Sequence, residues 1–357
     1  MHPSPFGRGG KSCATGAALT MTTIIRYSLM SLKPEKKHIR LLWLLLVFGL
    51  LPNRAPAELR VMDDAGRAVV LAAPARRIVS LAPYITELLF AAGAGEYIVG
   101  ASGFSDYPPA ARNIPRIGSG VALDLERIVA LQPDLVVAWE SGNPADQVAR
   151  LRALGLPVFL SEPRTLEDVG TSLLKLGRLA ATGEPARLAA TAYNEQLAAL
   201  RSGNTGKRPV RVFYQLWDQP LMTVNDTHII SDVIQLCGGV NVFAGLGLLA
   251  PQVGIEAVLV RDPAVIIAAA DGGNESDIFK TWQRWPGLRA VDRGHLYTIP
   301  GDLLVRHSPR ILAGVAQLCD ILDRVRNEEL QERLAGAIPL VADYSRLQGA
   351  PALGTSD

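Results

Sequence analysis

The sequence has little of several residue types, and each shortage excludes a class of protein. It holds 3 cysteines in 357 residues, too few for a fold built on disulfides or for a cysteine-rich metal protein. Aromatic residues make up 6%, and the formal charge of +2 lacks the basic excess of nucleic-acid-binding proteins. With 48% hydrophobic and 20% charged residues, the chain instead has an ordinary globular composition, and its length predicts about two domains.

Histidines and catalytic motifs are also scarce. The 5 histidines include His228, His295 and His307, none of which pairs at metal-ligating spacing. The motifs H-E-x-x-H, C-x-x-C and G-x-S-x-G do not occur. We therefore expect no protein-bound metal, no cofactor and no enzymatic activity. The alternative is an exported enzyme, which requires either His307 or His295 hydrogen-bonded to Ser308 or Asp302, or a metal bound in the cleft.

An apolar run near the N-terminus has the features of a secretory signal peptide. Residues 41–51 read LLWLLLVFGLL, too short for the roughly 20 apolar residues of a membrane span. The basic segment KPEKKHIR precedes this run, and PNRAPA follows it, with small residues at Ala55 and Ala57. This order predicts cleavage after Ala57 and export to the periplasm. The alternative is an uncleaved N-terminal anchor.

Removal of this leader changes the charge balance and leaves two cysteines. The leader holds 8 Lys and Arg and 1 acidic residue, so residues 58–357 carry 28 basic and 33 acidic residues, a net charge of −5. Cys237 and Cys319 remain. They can form a disulfide or stay two separate buried thiols, and an oxidising compartment favours the disulfide.

The two halves of the remaining chain repeat one order of elements. In the first half, the predicted strand IVSLA precedes the helix ITELLFAAG, and LDLERIVALQPDLVVAW follows later. In the second half, VRVFYQLW, ISDVIQLCGG and GIEAVLVRDPAVIIAAA come in the same order. Two spacings agree, because Thr86–Gly93 and Ser231–Gly238 both span seven positions, as do Glu126–Pro133 and Glu256–Pro263. Alternating strands and helices predict an α/β fold of two lobes, each with a mostly parallel sheet and flanking helices. Chance similarity is the alternative.

A helical segment separates the two halves. Leucine and valine recur at three- and four-residue spacing from Leu166 to Leu179, and Thr182-Gly183 interrupts the pattern before Pro185. We predict a single long helix over 165–203 as a stiff connection, between an N-terminal lobe at 58–164 and a C-terminal lobe at 204–326. Residues 327–357, which end in GAPALGTSD, are predicted to be a poorly ordered tail.

Several aromatic and charged residues follow predicted strands. Ligands of open α/β sheets bind outside the carboxyl ends of the strands, so two facing lobes would bring these residues to one cleft. For the aromatic residues the alternative is core packing, and for the charged pair it is a surface ion pair. The candidate ligand-binding residues are Phe104, Tyr107, Trp139, Trp217, Asp302 and Arg306.

Glu126 and Glu256 stand at the start of a predicted helix at equivalent places in the two halves. A carboxylate there stabilises the helix N-terminus, worth about 0.3–1 kcal/mol. That role explains one glutamate but not the repetition of both. Two exposed carboxylates, one on each lobe, would suit docking onto a symmetric partner with matching arginines.

Taken together, five segments resemble the periplasmic cobalamin-binding proteins of ABC importers, within the larger iron-siderophore, cobalamin and haem class. The resemblance covers roughly residues 76–325. The segments are RIVSLAPYITELLFAAG, SDYPP, LDLERIVALQPDLVVAW, LCGGVNVF and HSPRILAGVAQLC.

This resemblance implies a fold of two α/β lobes joined by one long helix, and a monomer that carries a corrinoid such as cobalamin to the permease and ATPase of an importer. It implies ligand contacts at Phe104, Trp139, Asp302 and Arg306. Haem or a ferric siderophore is the alternative ligand.

The resemblance also implies docking of Glu126 and Glu256 onto permease arginines and a disulfide between Cys237 and Cys319. The chain departs from the family pattern at four aromatic positions, which implies a wider or less aromatic pocket. Those positions hold Gly120, Leu216, Met222 and Ala250.

Overall fold

Two four-stranded parallel sheets, one in each half of the chain, form the framework of the protein. The computed structural model describes residues 58–270 and 278–347, with side chains up to residue 334. The predicted leader over 1–57 lies outside the described residues. Among the described residues, no helix combines the length and the apolar character needed to cross a membrane.

The strands and helices of the described chain alternate as the sequence predicts. The strands are β1 Leu59–Met62, β2 Ala68–Leu71, β3 Ile78–Ser80, β4 Ile98–Ala101, β5 Gly118–Ser119, β6 Ala122–Leu123, β7 Leu135–Trp139, β8 Val158–Ser161, β9 Val210–Gln215, β10 Trp217–Asp218, β11 Leu221–Met222, β12 Gly239–Asn241, β13 Val265–Ala270 and β14 Leu296–Pro300. The helices are α1 Pro83–Ala91, α2 Leu125–Ala130, α3 Ala145–Ala153, α4 Leu166–Leu179, α5 Gly183–Gly203, α6 Ile229–Leu236, α7 Ile255–Arg261, α8 Arg289–Asp292, α9 Gly301–Leu304 and α10 Ile311–Leu347.

The two sheets share one topology. The first sheet has the order β4-β3-β7-β8, and the second has the order β12-β9-β13-β14. In each sheet, the strand that comes first in the chain (β3 or β9) lies between the second (β4 or β12) and the third (β7 or β13). The fourth strand (β8 or β14) pairs with the third, and all these pairs are parallel. The repeated order of elements predicted from the sequence is therefore a repeated fold. Three short antiparallel pairs, β1-β2, β5-β6 and β10-β11, lie outside these sheets.

Equivalent glycines end the first helix of each lobe. Gly93 follows α1 with φ +78°, and Gly238 follows α6 with φ +70°. Both conformations are left-handed, where glycine avoids the clash of a Cβ atom and so closes the helix. Helix α1 then leads to β4 and α6 to β12, each at an edge of its sheet.

The connection between the lobes is formed by two helices rather than one helix over 165–203. The Thr165 side chain accepts from the Asp168 backbone N–H, which fixes the start of α4 in a capping box. The chain turns at Ala180–Thr182, and α5 then runs back along α4. The 21 residues of α5 span about 32 Å and make the crossing into the second lobe. A long connecting helix is thus present, with the break near Thr182 that the sequence pattern indicates.

One apolar core runs through both lobes and their connection. It includes Ile78 and Leu88 in the first lobe, Leu173 in α4 and Val212 and Ile234 in the second lobe. Smaller clusters fill the outer faces of the two sheets. Because the same core crosses the junction, movement of one lobe against the other would disrupt buried contacts.

The prediction of a poorly ordered tail after residue 326 is wrong for the backbone up to residue 347. Helix α10 continues from Ile311 to Leu347. The segment NEELQERL is rich in strong helix formers, which outweigh the later glycine and proline. Glu328 accepts from His295 at 2.8 Å and Glu329 from Arg208 at 3.1 Å, so both glutamates tie the helix to the second lobe.

Cys237 and Cys319 form a disulfide, as predicted. Cys237 ends α6 and Cys319 lies on α10, so the bond joins two helices of the second lobe. Helix α6 starts after β11 and runs back to β12, so its end lies at the amino edge of the sheet, away from the strand ends where ligands bind.

Candidate functional site

The candidate site is the junction where the carboxyl ends of the two sheets meet. The chain segments after β3 and β4 in the first lobe contact the segment after β14 in the second lobe. Loops at these ends are the usual ligand sites of open α/β sheets. The structure therefore places Asp106 and Arg306, at the ends of these sheets, where the two lobes face each other.

Phe104 and Tyr107 lie on the loop after β4. Phe104 is 80% exposed and has a left-handed φ of +62°, a conformation that is uncommon for a bulky residue. Tyr107 is also exposed, and the guanidinium of Arg310 lies 4.1 Å from its ring centroid. Neither ring is packed in the core, so the core-packing alternative is wrong for both residues.

Asp302 and Arg306 form more than the surface ion pair considered as their alternative. Arg306 Nη2 forms an ion pair with Asp302 Oδ1 at 2.8 Å, four residues away in the same lobe. Arg306 Nη1 donates across the junction to Asp106 Oδ1 at 2.7 Å and to Glu87 Oε1 at 3.0 Å. The Arg306 side chain is only 11% exposed, whereas Asp106 and Asp302 are nearly half exposed.

Arg306 also shifts the titration of Asp106. Partial burial raises the pKa of this carboxyl, but the hydrogen bond and the charge of Arg306 outweigh burial and lower the pKa below its ordinary value. Asp106 is therefore ionised at neutral pH. Asp106 and Asp302, both nearly half exposed, therefore supply carboxylate oxygens that can accept hydrogen bonds.

Trp139, Tyr84, His307 and His228 form a cluster of rings near these charges. Trp139 ends β7, and its ring centroid lies 5.9 Å from Tyr84 and 6.3 Å from His307. The Tyr84 hydroxyl donates to the Ser161 carbonyl at 2.9 Å, which fixes its ring. Burial lowers the pKa of His307 well below its ordinary value, and protonation of the neighbouring His228 would lower it further, so this imidazole is neutral.

Trp217 stands apart from the other predicted ligand residues. It begins the β10-β11 hairpin after β9, and its ring is 54% exposed. Its Nε1 donates to the Gln219 carbonyl at 3.0 Å, so the hairpin itself orients the indole. Among the interactions of the described residues, none joins this ring to the cluster at Arg306.

Small or aliphatic residues occupy the positions where the resembled family has aromatic ones. Gly120 is in the β5-β6 turn, and its carbonyl accepts from Asn143 Nδ2 at 2.9 Å. Leu216 and Met222 are joined by a backbone hydrogen bond of 2.9 Å at the β10-β11 hairpin, and Ala250 lies just before the bridge from Gln252 to Met222. None of these side chains supplies an aromatic face.

Glu126 and Glu256 occupy equivalent first turns in the two lobes. Each is exposed, in α2 and α7 respectively. Both helices lead into the third strand of their sheet, so their N-termini lie at the carboxyl edge, beside the cleft. Each glutamate can therefore stabilise its own helix and remain accessible to a partner.

The contacts of the histidines differ from those that the enzyme hypothesis requires. Ser308 Oγ donates to Glu87 at 2.5 Å, and His295 binds the Ala264 carbonyl and Glu328. His307 Nδ1 is buried without a hydrogen-bond partner. Within the part of the chain that the structure describes, no group of three or more His, Cys, Asp or Glu side chains is arranged to hold a metal ion.

The sequence analysis missed the residues that join the lobes. Glu87 lies within a mostly apolar helix. Asp106 directly precedes the candidate residue Tyr107, and Arg310 follows the candidate residue Arg306 by four positions. Tyr84 resembles any other core aromatic in the sequence. A charged residue at a predicted buried position, such as Glu87 between Thr86 and Leu88, is the one signal that could have identified this group.

The comparisons with known proteins agree with this architecture. Residues 78–303, from β3 to α9, match the family described as periplasmic binding protein. The chain belongs to this family. The vitamin B12-binding protein of Vibrio cholerae serotype O1 is 38% identical over 249 residues, which cover 70% of this chain and 90% of that protein. The vitamin B12-binding protein of Yersinia pestis is 37% identical over 245 residues, with 69% and 85% covered.

Solved structures support the same assignment. The crystal structure of the periplasmic vitamin B12-binding protein of Vibrio cholerae matches the present structure with a TM-score of 0.66 and 38% sequence identity. The match covers 71% of this chain and 98% of the Vibrio chain. A periplasmic haem-binding protein from Roseiflexus sp. RS-1 matches with a TM-score of 0.62 at 24% identity, covering 70% and 98%. The second match shows the shared fold alone. Membership in the family confirms the resemblance seen in the sequence motifs.

Proposed function

We propose that this protein is the periplasmic substrate-binding protein of an ABC importer and that it binds a corrinoid between its lobes. The relatives named vitamin B12-binding protein support this ligand class, and they span nearly the whole folded part of the chain. The predicted signal peptide supports export. The importer permease and its ATPase are the proposed partners, with Glu126 and Glu256 as the docking carboxylates.

The observation that carries the ligand class is the chemistry of the groups exposed at the cleft. Phe104 follows β4 and Trp217 follows β9, so each offers an aromatic face at the carboxyl end of its own sheet, and both are more than half exposed. Asp106 and Asp302 add accessible carboxylate oxygens. A large ring with an apolar periphery and amide N–H groups matches this combination, because aromatic faces cover apolar surface and carboxylates accept from amides. Corrinoids carry such amides.

Carboxylate-bearing ligands match the cleft less well. The propionates of haem need cations, but Arg306 already binds three carboxylates through Nη1 and Nη2. Arg310 binds Glu87 and covers the Tyr107 ring. Arg112 is exposed near this point, with Nε donating to the Asp106 carbonyl at 3.3 Å. We therefore place corrinoids before haem and ferric siderophores.

Isothermal titration tests this ligand class. Cobalamin and cobinamide should bind, and haem and a ferric siderophore should bind more weakly or not at all. Cobyrinic acid, in which carboxylates replace the side-chain amides, should bind more weakly than cobinamide because its charges face Asp106 and Asp302. The absence of binding heat with all four ligands, cobalamin, cobinamide, haem and a ferric siderophore, would overturn the proposal.

Substitution of Trp217 tests the cleft itself. Trp217→Ala removes an exposed aromatic face from the second lobe, and corrinoid affinity should fall roughly tenfold. Trp217→Phe keeps an aromatic ring and should restore most of that loss. Equal affinities for the wild type and the alanine variant would place the ligand elsewhere.

A further inference from the structure

Glu87 is a buried carboxylate whose partners all belong to the other lobe. It lies on α1 in the first lobe, and its side chain is 3% exposed. Its Oε1 accepts from Arg306 Nη1 at 3.0 Å and from Arg310 Nη1 at 3.1 Å, and its Oε2 accepts from Ser308 Oγ at 2.5 Å. A buried charge is tolerated when it is paired and hydrogen-bonded. Only one placement of the lobes provides these three partners.

The same partners extend from Glu87 to the cleft. Arg306 continues to Asp106 and Asp302, at 2.7 and 2.8 Å. Arg310 continues to the ring of Tyr107, at 4.1 Å. Each guanidinium therefore contacts both Glu87 and a residue that borders the cleft; Arg306 does so through one nitrogen, Nη1, which binds both Glu87 and Asp106.

Ionic bonding at this junction depends strongly on distance and direction. Charge-assisted hydrogen bonds are short and directional, so a rotation of one lobe would break them together. A lobe movement that separates Glu87 from residues 306–310 removes all three of its hydrogen-bond partners. The junction therefore favours a single separation of the lobes.

We propose that Glu87 is a positioning residue that fixes the separation of the two lobes and orients Arg306 and Arg310 at the cleft. This proposal rests on the proposed function for its ligand, but not for the geometry of the lobes. Because α2 and α7 each belong to one lobe, the same junction sets the distance between the docking glutamates, Glu126 and Glu256.

The distance between the lobes tests the proposal without any ligand. Spin labels are attached at Ala130→Cys and Val260→Cys, exposed positions on α2 and α7. The background carries Cys13→Ser, which removes the cysteine of the predicted leader, and Cys237 and Cys319 are paired in the disulfide. The distance distribution between the labels is measured by double electron–electron resonance. The parent should give a narrow distribution. Glu87→Gln removes the charge with little change in shape and should broaden or shift the distribution, measured at a temperature at which circular dichroism shows that the variant is folded.

Two further variants keep the test decisive. Asp302→Asn removes a carboxylate from Arg306 within one lobe, so it should leave the distance distribution narrow. Ser308→Ala removes a single bond to Glu87 and should broaden the distribution less than Glu87→Gln does; it also provides the test if Glu87→Gln fails to fold. A narrow, unshifted distribution in Glu87→Gln, or in Ser308→Ala if Glu87→Gln does not fold, would overturn the proposal.

Ligand affinity gives a second readout. Glu87→Gln should weaken cobalamin binding by about tenfold, as expected for the loss of a hydrogen bond to a charged group. If no corrinoid binds the wild type, the proposed function fails while the distance measurement still decides the role of Glu87. Unchanged affinity together with an unchanged distance distribution would leave Glu87 without a positioning role.

Discussion

His228 and His307 are buried against each other in the second lobe, with their ring centroids 5.4 Å apart and nearly perpendicular. His228 Nδ1 accepts from the Ile230 backbone N–H at 3.1 Å and so caps α6. That bond requires a neutral imidazole nitrogen. Protonation of His228 would therefore remove the cap and place a charge beside His307.

The pH dependence of stability follows from these histidines. Burial, and then the charge of Arg164, lowers the pKa of His228 to about 4 from an ordinary value of 6.5. Since the unfolded chain binds the proton more readily, this contribution to stability is complete above about pH 6.5 and is lost as the pH falls towards 4. His228 alone should cost about 3 kcal/mol by pH 4.

His228→Asn is the matched control for this effect. Asparagine is a good N-cap, so it retains an acceptor for the Ile230 N–H without titrating. Urea unfolding at pH values between 6.5 and 4 should show a smaller loss of free energy for this variant than for the wild type. Parallel losses in the two proteins would assign the acid sensitivity to other groups.

The disulfide should stabilise the second lobe without affecting ligand binding. Cys237 and Cys319 close a loop with a sequence separation of 82 residues, worth up to about 4–5 kcal/mol in the chain-entropy model. Replacement of both by alanine should lower the free energy of unfolding by up to this amount. Ligand affinity well below the melting temperature should be unchanged, because the bond lies at the sheet edge opposite the cleft. An altered affinity would contradict that separation.

Charge reversal of the docking carboxylates should separate binding from transport. Glu126→Lys with Glu256→Lys should leave ligand affinity within about twofold, since both side chains are exposed outside the cleft cluster, and should abolish uptake. Uptake of labelled cobalamin by cells that depend on this protein measures the effect. Glu96→Lys is the matched control, an exposed glutamate before β4 at the opposite sheet edge. Normal uptake by the double variant would contradict the docking role.

Local patterns predicted most of the fold because they depend on residues close in the chain. The predicted strand IVSLA contains β3, and Gly93, whose spacing repeats at Gly238, ends α1 in a left-handed conformation. The β1-β2 and β10-β11 pairs were not predicted, since such short strands lack a measurable alternation of apolar residues. The turn at Ala180–Thr182 was visible as an interruption but not as a reversal of direction.

The site was predicted only in part. Phe104, Tyr107, Trp139, Asp302 and Arg306 lie around the junction of the lobes, because residues that follow parallel strands gather at one sheet edge. Their roles in ligand binding remain predictions, as do those of Trp217, Glu126 and Glu256. What the sequence did not reveal is that Arg306 binds three carboxylates from two lobes.

The amino-acid sequence by itself determined the repeated α/β lobes, the family and the residues at the strand ends. Periodicity, helix-ending glycines and strand order are properties of short segments, so they can be seen without coordinates. Only the tertiary structure decided how the lobes are held together. Glu87 and Arg306 are 219 residues apart, and no pattern in either segment specifies that a carboxylate in one lobe will be neutralised by a guanidinium in the other. That pairing follows from the relative placement of two sheets, which the packing of the whole chain sets.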